Sequence, residues 1–201
     1  MTTETGPRRA VTLMLKNKRL GFADLAEPRS VNNGKPSYGA RLIIEPDDAD
    51  VKAIEAAIKE VATAQWKDKA DAVLEGLGEK NRIAFTRKPY RNASGEIYKA
   101  FEGKFSLGVS APETKRPTYF DEYGKPLEGS AVPAKIYAGA YVNMKVEFYP
   151  LLRDDGNRIN CAVLGVMHAA DGESFGGGAP VASADDFTGM AKERPNADDL
   201  L

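Results

Sequence analysis

The residues with the widest chemical scope in this chain are tyrosines set beside cations. They occur as Lys88-Pro89-Tyr90-Arg91, Tyr98-Lys99 and Lys115-Arg116-Pro117-Thr118-Tyr119. All lie within residues 80–145, which hold 12 Lys/Arg against 6 Asp/Glu and 10 of the 17 aromatic side chains, so charge and flat apolar faces share one segment. An unpaired nucleic-acid strand calls for that pairing. Cations follow its phosphates and release counterions, and aromatic faces stack its bases at about 1–3 kcal/mol each. A duplex hides its bases and would leave such rings unused. The candidate phosphate contacts are Arg41, Arg82, Arg87, Lys88, Arg91, Lys104, Lys115, Arg116 and Lys145, and the candidate stacking rings are Tyr90, Tyr98, Tyr119, Tyr137 and Tyr141. Phe85, Phe101 and Phe105 read instead as core, because aromatics are common in strands.

Other chemistries find little support. A single cysteine, Cys161, excludes an intramolecular disulfide and a cysteine-based zinc finger. A single histidine, His168, excludes His-pair metal sites and reads as a strand-end residue. No Walker loop or GxSxG elbow is present. Asp47, Asp48 and Asp50 lack the glycine and closing glutamate of a calcium loop and suit a helix start. Asn92-Ala93-Ser94 matches a glycosylation sequon without the context for its use. Asp121-Glu122 and Asp154-Asp155 are the compact carboxylate pairs outside the helix and tail, and both read as turn residues. No catalytic residue, metal or cofactor is expected.

The elements that would hold the candidate residues are mostly strands. Val11–Leu15 reads as a short strand, and Phe22–Pro36 as a turn-rich segment whose Asn33-Gly34 closes a hairpin onto Tyr38–Ile44. Asp47–Gly78 changes to a helical period, with Val51, Ile54, Ile58 and Val61 on one stripe, Asp47 as N-cap and Gly78 as the stop. Strands are predicted again at 82–86, 101–109, 136–149 and 158–168. In the long one, Ile136, Ala138, Ala140, Val142, Met144, Val146 and Phe148 share a face opposite Tyr137 and Tyr141. The stretches 88–96 and 112–133 read as loops. No run approaches 18 apolar residues, so no membrane span is expected. With no leader-like apolar segment behind Met1–Arg9, the expectation is a cytosolic chain.

The net charge of −1 conceals a division. Residues 170–201 carry seven acids and two bases, or −5, which leaves residues 1–169 at +4. A mildly basic body with an acidic end suggests a polyanion partner, or a tail that imitates one. The expected organisation is a nucleic-acid-binding domain over 1–169 and a disordered, glycine-rich, acidic tail over 170–201.

Three segments resemble one family. They are Leu15–Leu20 running through Asn33–Tyr38 to Leu42-Ile43-Ile44, then Tyr137-Ala138-Gly139-Ala140-Tyr141-Val142-Asn143, then Leu164-Gly165-Val166 followed by Asp171–Gly177 and Ala184–Phe187. The chain is similar over nearly its whole length to the single-stranded DNA-binding proteins of tailed bacteriophages. The resemblance implies an OB-fold Greek-key barrel, a non-catalytic role in replication, recombination or repair, and the cytoplasm of an infected bacterium as its location. It also implies an acidic tail that recruits replication or recombination proteins of phage or host. Here that tail ends Asp198-Asp199-Leu200-Leu201 without a terminal phenylalanine, so Phe187 behind Asp185-Asp186 is a second docking candidate. Self-association is left open. The competing readings are a protein–protein adaptor built on a β-barrel and a carboxylate-based nuclease.

Overall fold

The computed structural model describes residues 9–30 and 34–175. The expected short first strand is the start of a long one. β1 runs Val11–Arg29, pairing antiparallel with β6 (Tyr141–Leu151) through its first half and with β2 (Ser37–Ile44) through its second. One strand serves both neighbours because its pairing shifts register three times, between Leu15 and Lys18, between Leu20 and Phe22, and between Asp24 and Arg29. Bulges of this kind add local twist and let a sheet curl. The first shift places Asn17 at φ 51, and the Asn143 side-chain oxygen accepts its amide at 2.9 Å.

β2 pairs with β4 (Phe105–Pro112), β6 with β7 (Arg158–Ala170), and β4 meets β7 in parallel at Ser110 and Ala162. Strands β1, β2, β4, β7 and β6 therefore close on themselves as a five-stranded Greek-key barrel of the OB type. Two short strands flank it: β3 (Phe85–Thr86) on β4 and β5 (Thr118–Phe120) on β7. The expected strand over 82–86 is thus shortened. Residues 82–84 instead form a parallel bridge to β7, with the Ala84 amide donating to the Ile159 carbonyl at 2.8 Å and the Ile159 amide donating to the Arg82 carbonyl at 3.0 Å. The expected 112–133 loop contains β5 and the start of α3 (Ala131–Lys135).

The helical segment lies between β2 and β4. α1 spans Asp50–Trp66 and buries Val51, Ile54, Ala57, Ile58, Val61 and Ala62, so the stripe seen in the sequence faces the core. Asp48 rather than Asp47 supplies the oxygen at its start, accepting the Asp50 amide at 2.8 Å. α2 spans Ala70–Glu79 and ends past Gly78. There Asn81 adopts φ 51, its amide bonds to the Gly78 carbonyl, and the Arg82 amide bonds to Leu77 at 2.8 Å. Those are the paired bonds of a Schellman closure with asparagine in the left-handed position. Lys18 ties α1 to β1, its ammonium lying 2.8 Å from Asp48 and 2.9 Å from Asp50 while almost fully buried. Among the described residues no helix is long and apolar enough to cross a membrane.

Candidate nucleic-acid interface

One face of the barrel carries a groove of about 1120 Å³, bounded by β1, β2, β4, the start of β7 and the segment 78–98. Its aromatic wall follows from two local features. The first is a turn. The Asn92 side chain donates to the Glu96 carboxylate and accepts the Glu96 amide, both at 2.9 Å, while Gly95 takes φ 84. Arg91 closes the turn by donating to the Gly95 carbonyl at 2.6 Å. The two arms run side by side, so Tyr90 and Tyr98 stack with centroids 5.5 Å apart and planes within 12°. The second feature is Gly21. A Cβ there would fall 2.4 Å from the Phe101 ring, so the buried Phe101 packs on bare backbone. Phe22, the next residue past the bulge, turns outward and meets Tyr98 edge-on at 5.0 Å and Tyr90 at 5.7 Å. Four rings thus form one cluster, and Phe22 and Tyr98 each keep 38% of their surface exposed.

Arg41 joins this cluster to the charged floor. It projects from β2 opposite Gly108, and its guanidinium carbon lies 3.9 Å from the Tyr90 ring centroid. A Cβ on Gly108 would sit 3.0 Å from that guanidinium, so the glycine leaves the shelf on which it rests. Burial pulls the Arg41 pKa down, with Tyr90 acting in the opposite sense. Arginine still carries its charge at any physiological pH. Across the groove, Arg82 passes over Gly156, where φ is 115 and a Cβ would collide with the guanidinium. Arg158 pairs with Asp155 at 2.6 Å, and its buried Nε has no hydrogen-bond partner among the described residues. Lys80, Lys88 and Arg91 complete six cations along the groove. Among the described residues Asp24 is the one acid lining it, and Arg29 holds that carboxylate at 3.1 Å. Cys161 forms part of the floor, and burial raises its thiol pKa, so it stays protonated and unreactive.

Of the residues nominated from sequence, Arg41, Arg82, Lys88, Tyr90, Arg91 and Tyr98 converge on this groove. Lys115 and Arg116 line a separate cleft of about 470 Å³ on the other side of the β4–β7 seam. Arg87 lies outside both, forked onto the Glu55 carboxylate at 2.7 and 2.9 Å. Lys104 is paired with Glu45, and Lys145 is exposed on β6 between Met14 and Gly165. Tyr119 is a correction. Its ring is buried in the core and its hydroxyl donates to the Leu25 carbonyl at 2.5 Å, so it offers no face to a base. That burial pushes its pKa up to about 12.

Tyr137 and Tyr141 are also placed away from both clefts. The strand expected from Ile136 begins at Tyr141, because Gly139 at φ 113 breaks the extended path. Residues 171–175, expected as free tail, fold back over this corner, and Ala170 belongs to β7. The Tyr137 hydroxyl donates to the Gly172 carbonyl at 3.0 Å, the Phe175 amide donates to Ala138 at 3.0 Å, and Arg19 donates to the Glu173 carbonyl at 3.1 Å. The Arg19 guanidinium lies 4.2 Å from the Phe175 ring and 5.6 Å from that of Tyr141. His168 is buried beneath, one ring nitrogen 3.1 Å from Glu122 and the other 3.2 Å from Asp171. Asp185, Asp186, Phe187, Asp198, Asp199, Leu200 and Leu201 lie outside the described residues.

Sequence reasoning missed Phe22, Lys80 and Arg158. The one available signal was Gly21, since a glycine inside a strand marks a bulge or a close approach.

The profile of the family described as Enterobacter phage Enc34, ssDNA-binding protein, matches residues 11–201. This chain belongs to that family. Protein p50 of Acyrthosiphon pisum secondary endosymbiont phage 1 is 31% identical over 183 residues, covering 89% of this chain and 94% of that protein. Among solved structures, the single-stranded DNA-binding protein from bacteriophage Enc34 in complex with ssDNA superposes with a TM-score of 0.69 at 20% identity, over 82% of this chain and 89% of that one. The single-stranded DNA-binding protein gp2.5 of bacteriophage T7 gives 0.51 at 17% identity, over 94% and 98%. At such identities the structural likeness establishes the shared barrel, and family membership rests on the sequence match.

Proposed function

We propose that this chain coats single-stranded DNA with little sequence preference, through the groove on the β1–β2–β4 face. The observation that carries the reading is the juxtaposition of the Phe22–Tyr90–Tyr98 cluster with Arg41 and five further cations around one 1120 Å³ groove. Stacking on ring faces tolerates any base, and cations read only the phosphates. The family match and the ssDNA complex of the Enc34 protein support the same ligand. The reading is non-catalytic. Glu122 is engaged with Lys135 and His168, Asp121 accepts the turn amides of Tyr123 and Lys125, and Asp155 holds Arg158. Each of these carboxylates has a structural task.

The setting we propose is replication, recombination or repair of phage DNA in the cytoplasm of an infected bacterium. The −5 charge of residues 170–201 supports a regulatory role for the acidic segment, in which it competes for the groove and, once displaced, recruits partner proteins. The test is a salt titration of binding to an unstructured oligonucleotide beside its duplex. Preference for the single strand, with log affinity falling by about 0.7 per phosphate contact per log unit of salt, is expected. Equal binding of both forms, or none, refutes the reading. Removing residues 176–201 should raise affinity most at low salt, where screening is weakest.

A further inference from the structure

We propose that the nucleic-acid track does not end in the groove but crosses the β4–β7 seam into the second cleft, where Lys35, Lys115 and Arg116 take phosphates and Tyr149 lies beside the path. The proposal rests on the single-strand reading and extends it to a second subsite. The two clefts share Ser110 on β4 and are lined by consecutive residues of β7, Cys161 on one side and Ala162 on the other. They are neighbours across the one residue pair at which the barrel closes.

What lies between them is decided by strand alternation. Along β4 the core takes Leu107, Val109 and Ala111, leaving Gly108 and Ser110 outward. Along β7 it takes Ile159, Cys161 and Val163, leaving Asn160 and Ala162 outward. The crossing is floored by small uncharged residues with no bulk to obstruct a strand, and Glu147, opposite Ala162 on β6, is the acid beside it. Beyond it three cations face that acid. The loop carrying Lys115 and Arg116 is anchored, because the Glu113 amide donates to Pro36 at 3.2 Å and the Lys115 amide to Pro112 at 2.8 Å. Both side chains are exposed, and Arg116 leans toward the Tyr119 ring at 5.5 Å. A site of this length falls within the range of about 4–16 nucleotides that one OB barrel can occupy.

The test uses the full chain with two oligothymidylates, one of about 6 and one of about 16 nucleotides, from the two ends of that range. K115A/R116A should leave the short oligonucleotide's affinity unchanged. It should reduce the salt slope for the long one by about 1.4, two contacts at about 0.7 each. K115E/R116E should widen the difference, and R41A/R82A should weaken both lengths. Equal loss on both lengths, or no loss on the long one, overturns the second subsite. If the unmodified chain binds neither oligonucleotide, the single-strand reading itself has failed, and that is visible before any variant is made.

Discussion

The Arg41 guanidinium carbon lies 3.9 Å from the centroid of the Tyr90 ring, and both groups line the same groove. Each therefore orients the other. Arg41 fixes the ring it covers, and the ring holds the guanidinium at a partly desolvated position where its field is least screened. Tyr90→Ala and Arg41→Ala should each weaken binding to oligothymidylate, the tyrosine change by about 1–3 kcal/mol. The double variant should lose less than the sum of the two, since residues in contact couple by about 0.5–3 kcal/mol. Fluorescence anisotropy on the four proteins measures the cycle, and strict additivity would show that the two act separately.

Lys18 presents a different pairing, one that concerns stability alone. Its ammonium is buried between Asp48 and Asp50 and also donates to the Lys16 carbonyl at 2.6 Å. Removing one partner of a buried ion pair leaves the others uncompensated, at about 3–5 kcal/mol. The two carboxylates keep 16% and 25% of their side-chain surface exposed, which places Lys18→Met near the lower end, about 3 kcal/mol. Urea denaturation should show a lower midpoint with an unchanged slope. DNA affinity should hold, because the triad joins α1 to β1 away from the groove.

How much of this could be read beforehand varies by element, for physical reasons. The α1 stripe and the buried half of β6 were legible because a single periodicity decides them. Phe22 was not, because its outward turn depends on a register shift between Leu20 and Phe22 that no local pattern announces. Tyr137 and Tyr141 looked like a stacking face because alternation was continued through Gly139, where the backbone leaves the extended region. Tyr119 beside Arg116 looked like another cation–tyrosine pair, yet β5 turns its ring into the core. Composition and the family resemblance suggested a class of ligand, while membership of the groove depended on barrel closure, which joins residues more than a hundred positions apart.

The corner formed by Gly139 and residues 171–175 carries its own expectation. A Cβ on Gly139 would fall 2.1 Å from the Glu173 carbonyl, and φ 113 is a conformation that L side chains rarely adopt. Gly139→Ala should displace the returning segment and free Phe175 from Arg19. Hydrogen exchange at the Phe175 amide, now bonded to Ala138, should accelerate strongly, while amides in β2 and β4 keep their protection. Affinity for a short oligonucleotide should stay within twofold, because this corner lies outside the groove. Unchanged exchange at Phe175 would mean that the clasp contributes nothing to holding the segment.

Glu122 makes the acid limb of the stability profile testable. Its own backbone amide, and then the Lys135 ammonium at 3.1 Å, hold its pKa down at about 2, below the ordinary 4.5. A carboxyl depressed in the folded state binds its proton more weakly there than in the unfolded chain. Its stabilising contribution is therefore complete above the unfolded value and disappears as pH falls through the window between about 4.5 and 2. Glu122→Gln removes that contribution, so the variant should be less stable than the parent at pH 6 and should converge with it toward pH 2. Lys135 contacts this carboxylate, and its own pKa is raised by that contact, so it stays cationic through the window and does not reverse the sign. Thermal melts of the two proteins at half-unit steps between pH 6 and 2 read the difference directly. A gap that stays constant across the range would show that the lost group acted by packing and not by charge.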